Sequence, residues 1–416
     1  MTAPSAQSAA PATGRSLAAA AYIFAVVMMG TTMPTPLYPT MSAAFGFGTA
    51  ATTVLFAVYA VGVVAGLVIF GHLSEKLGRR PVLFAALVLS VVSAVLFLLA
   101  GIPTSGEGTT ASGGTVTGLV LMYCGRVLSG LAAGIFTATG TVTVMENAPH
   151  GRATLAAAVA TAANIGGLGL GILVAGCTAQ LVSTPLTTPF IVHAVMLAVA
   201  AALLPGVRDA VVREPRGQGR GRFPRPQVPG IPTPVRSLFT AAVPAVVAGY
   251  TVCGVYSSLV PNFMGEHLDI HAPATVAAVA AALFIASAVA QIALRSMADR
   301  LLMVTGLVFL IVSAVLLVIA LQVESLGLLL AASVIGGAGQ GVTFMTGMRA
   351  MTSRVAPEQR TAVTTSYFIV GYVALAVPAM LAGLLTIPLG LVGSTTVFAV
   401  VVVVLAGAGL TVARRY

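Results

Sequence analysis

The side chains in this sequence that could do chemistry are few, and most are basic. Charged residues make up 7% of the 416 positions and hydrophobic ones 58%. Arg126 stands inside a long apolar run, in Tyr123-Cys124-Gly125-Arg126-Val127-Leu128-Ser129-Gly130-Leu131-Ala132-Ala133-Gly134. A guanidinium in hydrocarbon is costly and normally faces a protein interior or water. Arg126 is therefore a candidate to orient a substrate or hold off a proton. The plainer alternative is that it binds backbone carbonyls where helices cross. Gly130 and Gly134, one turn apart, leave room for a neighbouring helix on that side. Arg349 lies near the end of another apolar run and reads as a boundary residue. No Asp or Glu falls in mid-run, although carboxylates are the usual proton carriers within a membrane. His193 is the one histidine inside an apolar run, either a packed, hydrogen-bonded residue or a relay; His267 and His271 read as solvated.

A second constellation is Gly71-His72-Leu73-Ser74-Glu75-Lys76-Leu77-Gly78-Arg79-Arg80-Pro81. Apolar runs flank it, Ala51 to Phe70 and Pro81 to Ala100, each about the 20 residues a helix needs to cross a bilayer core. The polar run is thus a tight water-exposed turn between two membrane spans. Gly71 and Gly78 suit the turn, and Pro81 suits the first turn of the next helix.

The elements that must position these residues follow from hydropathy. Mean hydropathy is +1.04, and a soluble domain carries about 25% charged residues, so the chain belongs in a membrane. Twelve spans are predicted: 16–37, 51–72, 81–101, 118–144, 153–178, 189–206, 237–264, 273–294, 301–322, 326–351, 362–387 and 392–413. The alternate connections 38–50, 102–117, 179–188, 265–272, 323–325 and 388–391 contain no Lys or Arg. The remaining connections hold the basic residues, among them Arg152 and Arg360. By the positive-inside rule both termini are cytoplasmic and the chain is a multi-pass protein of the cytoplasmic (inner) cell membrane.

The predicted organisation is a disordered tail (1–15), a six-span half (16–206), an Arg/Pro-rich cytoplasmic linker (207–236) and a second six-span half (237–416). Net charge is +10, from 20 Lys and Arg against 10 Asp and Glu. Its placement in linker and inner loops, without an aromatic-rich basic domain, speaks against a nucleic-acid partner. Cys124, Cys177 and Cys253 all fall in apolar runs and form no disulfide framework. H-E-x-x-H, G-x-S-x-G and paired acids are absent, so an enzyme is not expected; a receptor without transport is the remaining rival. The halves look like repeats, since Ala148-Pro149-His150-Gly151-Arg152 parallels Ala356-Pro357-Glu358-Gln359-Arg360 and Arg295–Arg300 echoes the 71–80 turn.

The 71–80 run resembles the signature loop between spans 2 and 3 of the major facilitator superfamily, with Glu75 where Asp is commoner. The span-4 pattern from Arg126 through Gly130 to Gly134 is similar to a second signature, that of the twelve-span drug:proton antiporters. A third, on span 5, is incomplete: Gly167 and Gly171 fit, but Ile172 stands where that signature has proline.

The resemblance implies an all-α fold of two pseudo-symmetric six-helix halves, with a substrate cavity near the midplane. It further implies alternating access, no cofactor beyond a proton gradient, and a monomer. It makes Gly71, Glu75, Gly78, Arg79 and Arg80 a conformational latch, with Glu75 meeting the start of span 11 near Thr361. Glu146, Arg152 and Arg360 are expected in the same charge layer. Candidate cavity residues are Tyr22, Met29, Asn164, Tyr250, Tyr256, Gln340 and Tyr367. The expected function is export of a small amphipathic compound or drug by proton antiport. The alternative is uptake or facilitated transport of a neutral or anionic metabolite.

Overall fold

A membrane leaves no water for backbone amides, so a spanning chain must satisfy them within itself. The computed structural model, which describes residues 13–70, 73–101, 111–209 and 230–413, answers with helices; no strand occurs among the described residues. Eleven helical stretches are long and apolar enough to cross a bilayer. The last, Pro357–Val412, has 56 residues, about 84 Å of straight helix against a core of about 30 Å. Gly390 breaks it with φ 68° and ψ 176°. Ser394 Oγ donates to the carbonyl of Ala382, atoms that a straight helix would hold about 18 Å apart. The stretch is therefore a hairpin of two spans, which gives twelve crossings.

Spans 2 to 4 are Thr49–Phe70, Arg79–Gly101 and Ala111–Glu146. Span 5 is Ala153–Leu181 with a π turn at Ala162–Gly166, and span 6 is Thr188–Leu203. Span 7 runs from Arg236 to Ser258 and on as Val260–Glu266. Spans 8 to 10 are Pro273–Ala293, Asp299–Gln322 and Leu326–Thr352. The packing repeats: span 4 lies against spans 2 and 3, as span 10 lies against spans 8 and 9. Between the halves, span 2 packs on span 11 and span 5 on span 8.

Span 4 closes on span 2 through facing glycines. A Cβ on Gly62 would lie 2.6 Å from the carbonyl oxygen of Val127, and one on Gly66 2.6 Å from that of Leu131. Reciprocally, Gly130 and Gly134 sit against the carbonyls of Tyr59 and Val63.

Two predicted loops need correction. Span 1 is Gly14–Thr32, but after a 3-10 turn at Thr35–Leu37 the chain continues as helix Tyr38–Phe45, where a loop over 38–50 is expected from sequence. Pro34, Pro36 and Pro39 break regular hydrogen bonding without ending the run of small and apolar residues. The expected loop 102–117 likewise ends early, because span 4 begins at Ala111.

The linker boundary is also less abrupt than its composition implies. Val207 is buried. The backbone N–H of Arg208 donates to Asn147 Oδ1 at 2.8 Å, while Asn147 Nδ2 donates back to its carbonyl at 3.2 Å. Asp209 accepts from the backbone N–H of Arg79 at 2.9 Å, placing a carboxylate on the N-terminus of span 3, where the helix dipole favours it. This end of the bundle is the linker end, and the opposite one the far end.

Candidate functional site

Between the halves lies a cleft whose non-atom space, open solvent included, is about 580 Å³. Six aromatic rings face it: Phe56 and Tyr59 from span 2, Tyr250 from span 7, Phe284 from span 8, and Phe368 and Tyr372 from span 11. Its polar groups are Thr32, Asn164, Cys253, Ser257 and Gln340. No carboxylate, histidine or basic side chain lines it among the described residues. Such a wall offers apolar area and hydrogen bonds but no fixed charge, and so fits an uncharged amphipathic molecule.

Of the expected cavity residues, the structure brings Asn164, Tyr250 and Gln340 to this wall. Asn164 lies within the π turn of span 5, a local widening of the helix often found at functional sites. The other four are elsewhere because their helix faces turn into the halves. Tyr22 donates to the carbonyl of Met196 on span 6 at 3.3 Å. Met29 lies against Gly171 of span 5. Tyr256 is buried beside Ser313. Tyr367 sits one layer back, its ring stacked 5.1 Å from Phe344, which in turn packs on Tyr250 and Phe368.

Sequence reading missed most of the rings. Phe368, Tyr372 and Leu375 share one face of span 11 at helical spacing, as do Phe56 and Tyr59 on span 2, and that periodicity was the available signal. Nothing in the sequence said that these faces meet across the halves.

Arg126 is 1% exposed and does not line the cavity. Its guanidinium turns to span 1: Nη1 donates to the carbonyl of Thr31 at 2.5 Å and Nη2 to the hydroxyl of Tyr38. Three rings surround it, Tyr38, Tyr59 and Phe97, with centroids 5.4, 5.7 and 6.0 Å from Cζ. Ring faces attract a cation, and no carboxylate pairs with it among the described residues. Thr31 ends the first helix of span 1 and Tyr38 begins the second, so Arg126 clamps both sides of the proline break. An expectation that it contacts substrate directly is not what this geometry supplies.

His193 is a packed residue, its Nε2 3.0 Å from the carbonyl of Val26 and its ring against Gly30.

At the linker end, Arg79 binds both carboxylate oxygens of Glu146, at 2.9 and 3.2 Å, and Ser74 Oγ at 2.7 Å. Arg80 donates to the carbonyl of Val207. Gly78 turns with φ 94°. Arg152 and Arg360 lie exposed, and Glu146 turns to Arg79 rather than to either. Gly71 and the side chain of Glu75 lie outside the described residues. Arg349, read from sequence as a plain boundary residue, pairs with Asp299 and donates to the carbonyls of Arg295 and Met297 at 2.7 and 3.2 Å.

Comparison with known proteins agrees with this architecture. A bacterial homologue of the human lysosomal transporter Spinster, in an inward-facing and unoccupied conformation, has a TM-score of 0.70 at 14% identity, covering 96% of each chain. The nucleoside transporter NupG, in a mutant form, has a TM-score of 0.68 at 12% identity, covering 96% of this chain and all of that one. At such identities the likeness is one of fold. No curated protein sequence matches the chain. The profile of the Major Facilitator Superfamily matches residues 20–377. Twelve helices in two like-packed halves, a cavity between them and a profile match over most of the length together make this integral membrane protein, a transporter rather than an enzyme, a member of the Major Facilitator Superfamily.

Proposed function

We propose that the protein exports a small, uncharged amphipathic compound by alternating access, and that the cavity between the halves holds it. The observation that carries this reading is the wall itself: six rings and a few amide and hydroxyl groups, with no charge among the described lining residues. The resemblance of the Arg126–Gly134 run to the span-4 signature of the drug:proton antiporters supports the direction. Basic residues at the linker end support placing that end in the cytoplasm. Arg126 then acts on transport through the bend of span 1 rather than by touching the compound. With no carboxylate or histidine among the described lining residues, proton exchange would have to use a group elsewhere, such as Glu146, or the substrate itself.

The uncharged wall also supports a second reading, facilitated transport of a neutral metabolite. Purified protein in liposomes separates the two, using a panel of neutral aromatic compounds and an imposed pH gradient. Uphill flux that collapses with a proton uncoupler supports antiport; flux that only follows the substrate gradient, and ignores the uncoupler, moves the assignment to the facilitator. Single-sided labelling fixes orientation: with the native cysteines replaced, Ser183→Cys and Gln359→Cys should react with an impermeant thiol reagent from opposite faces. Labelling from the same face would overturn the topology.

A further inference from the structure

Gln340 is held differently from the other polar groups of the wall. It is 4% exposed, and its neighbour across span 8, Ser287, is fully buried. Gln291 Nε2 donates to Ser287 Oγ at 3.2 Å, and Ser287 Oγ donates to Gln340 Oε1 at 2.8 Å. The chain of donors runs one way, because a hydroxyl that accepts from an amide has its own proton left to give. Gln340 Oε1 is thereby occupied, and no hydrogen bond from its Nε2 occurs among the described residues. Gln340 lines the cavity, so the free end of its amide is a donor end.

Packing keeps the chain in place. A Cβ on Gly249 of span 7 would lie 3.1 Å from Gln340 Cγ, and one on Gly341 2.6 Å from Ser287 Oγ. Both side chains are thus packed directly against glycines of the adjoining helices. An amide N–H at the cavity wall gains when a bound molecule supplies its acceptor.

We infer that Gln340 is a specificity-determining residue that presents an N–H donor to the transported compound, with Ser287 and Gln291 as positioning residues that fix its direction. The substrate class is then a flat apolar body bearing a neutral acceptor, such as a carbonyl or amide oxygen. A cation meets ring faces that attract it, but no carboxylate among the described lining residues. The inference rests on the reading of the cavity as the transport site, and its test separates the two.

Three probes on one naphthalene body serve: the N,N-dimethylcarboxamide (acceptor), the methyl compound (no acceptor) and the trimethylammonium salt (cation). Equilibrium binding is measured on the purified full chain. In the wild type the carboxamide should bind about tenfold more tightly than the methyl compound, a difference of about 1.4 kcal/mol. Gln340→Leu should erase the carboxamide's advantage over the methyl compound. Gln340→Glu, which presents only oxygens, should move the preference to the cation. Ser287→Ala should narrow the carboxamide's advantage to about threefold without changing the methyl compound's affinity, a ratio that a merely structural role would not move.

An undiminished advantage in Gln340→Leu would overturn the donor role. If the methyl compound still competes for a site weakened by Phe284→Ala, the cavity reading survives that loss. Binding by none of the probes, or binding that Phe284→Ala and Tyr250→Ala leave untouched, would sink the cavity reading and the donor with it.

Discussion

The two halves share a packing plan but put their polar groups to opposite uses. In the first half the buried cation at Arg126 faces inward and ties the broken span 1 to span 4. In the second, the corresponding central helix carries Gln340, which is braced from behind and open toward the cavity. The ion pairs at the linker end are also reversed. Arg79, after the span 2–3 turn, meets an acid on span 4; Asp299, after the span 8–9 turn, meets a base on span 10. A duplicated scaffold thus fixes where helices cross and leaves the sign and direction of each polar contact free to diverge. Both halves line the cavity, so the divergence lies in the helix cores rather than in which half reaches the wall.

The largest effect expected of any change is on the shared plan itself. A Cβ on Gly134 would fall on the carbonyl of Val63, with Leu67 N 2.9 Å away, and one on Gly337 would fall on the carbonyl of Leu283. Backbone cannot yield as a side chain can. Gly134→Val and Gly337→Val should each cost about 1–3 kcal/mol by overpacking, read as a lowered thermal midpoint and less monodisperse protein in detergent. A large loss at one position with none at the other would break the symmetry claimed for the packing.

Next comes the clamp. Hydrogen bonds from a charged donor are worth about 1.5–3 kcal/mol each, and Arg126 makes one to either side of the span 1 break. Lys cannot reach both partners while stacking between rings. Arg126→Lys should therefore cut transport at least tenfold while the chain still inserts. Arg126→Met should do the same and also lower thermal stability, since Tyr38 and Thr31 lose their common partner. Wild-type transport by Arg126→Lys would mean that only the charge matters.

The linker-end pairs should differ in size as well as sign. The Arg79 and Glu146 side chains are 11% and 25% exposed, those of Arg349 and Asp299 39% and 34%. Exposed pairs contribute about 0–1 kcal/mol. Glu146→Gln should lower the thermal midpoint more than Asp299→Asn does, and with less dependence on salt. Equal shifts would show that burial is not what distinguishes the two pairs.

The fold was legible because a bilayer leaves so few solutions. Apolar runs of the right length and the absence of Lys and Arg from alternate loops are enough for twelve crossings and two halves. Where local chemistry was ambiguous, reading stopped short. A loop is expected over 38–50, yet the helix resumes at Tyr38 and provides the hydroxyl that holds Arg126. The site was legible only in part, because helix rotation decides it. Asn164, Tyr250 and Gln340 face the cavity, whereas Tyr256, six residues beyond Tyr250 in sequence, turns toward span 9. No periodicity within one helix says which face meets the other half.

The smallest effect expected lies where the halves touch. Span 8 begins with Ala272, which has no side-chain cap of its own, whereas Ser325 caps span 10 from within its own half. The missing cap comes from the first half: Gln180 Oε1, at the far end of span 5, accepts from Ala274 N at 3.0 Å. Beside it Gly176 packs on Pro273 and Ala277, and across the bundle Gly383 packs on Thr53. A cap is worth about 0.5–1 kcal/mol at the exposed end of this range, and this one exists only while the far ends are together. Losing it should leave folding almost unchanged and shift the open population by about two- to fivefold, since only the closed state makes the contact. Cys253, which lines the cavity, is the reporter. With Cys124 and Cys177 replaced by Ala, its labelling by an impermeant thiol reagent added at the far face should quicken by that factor in Gln180→Ala. Gln180→Glu, whose carboxylate suits a helix N-terminus, should label no faster than wild type. Unchanged labelling in Gln180→Ala would mean that the glycine contacts alone keep the far end closed.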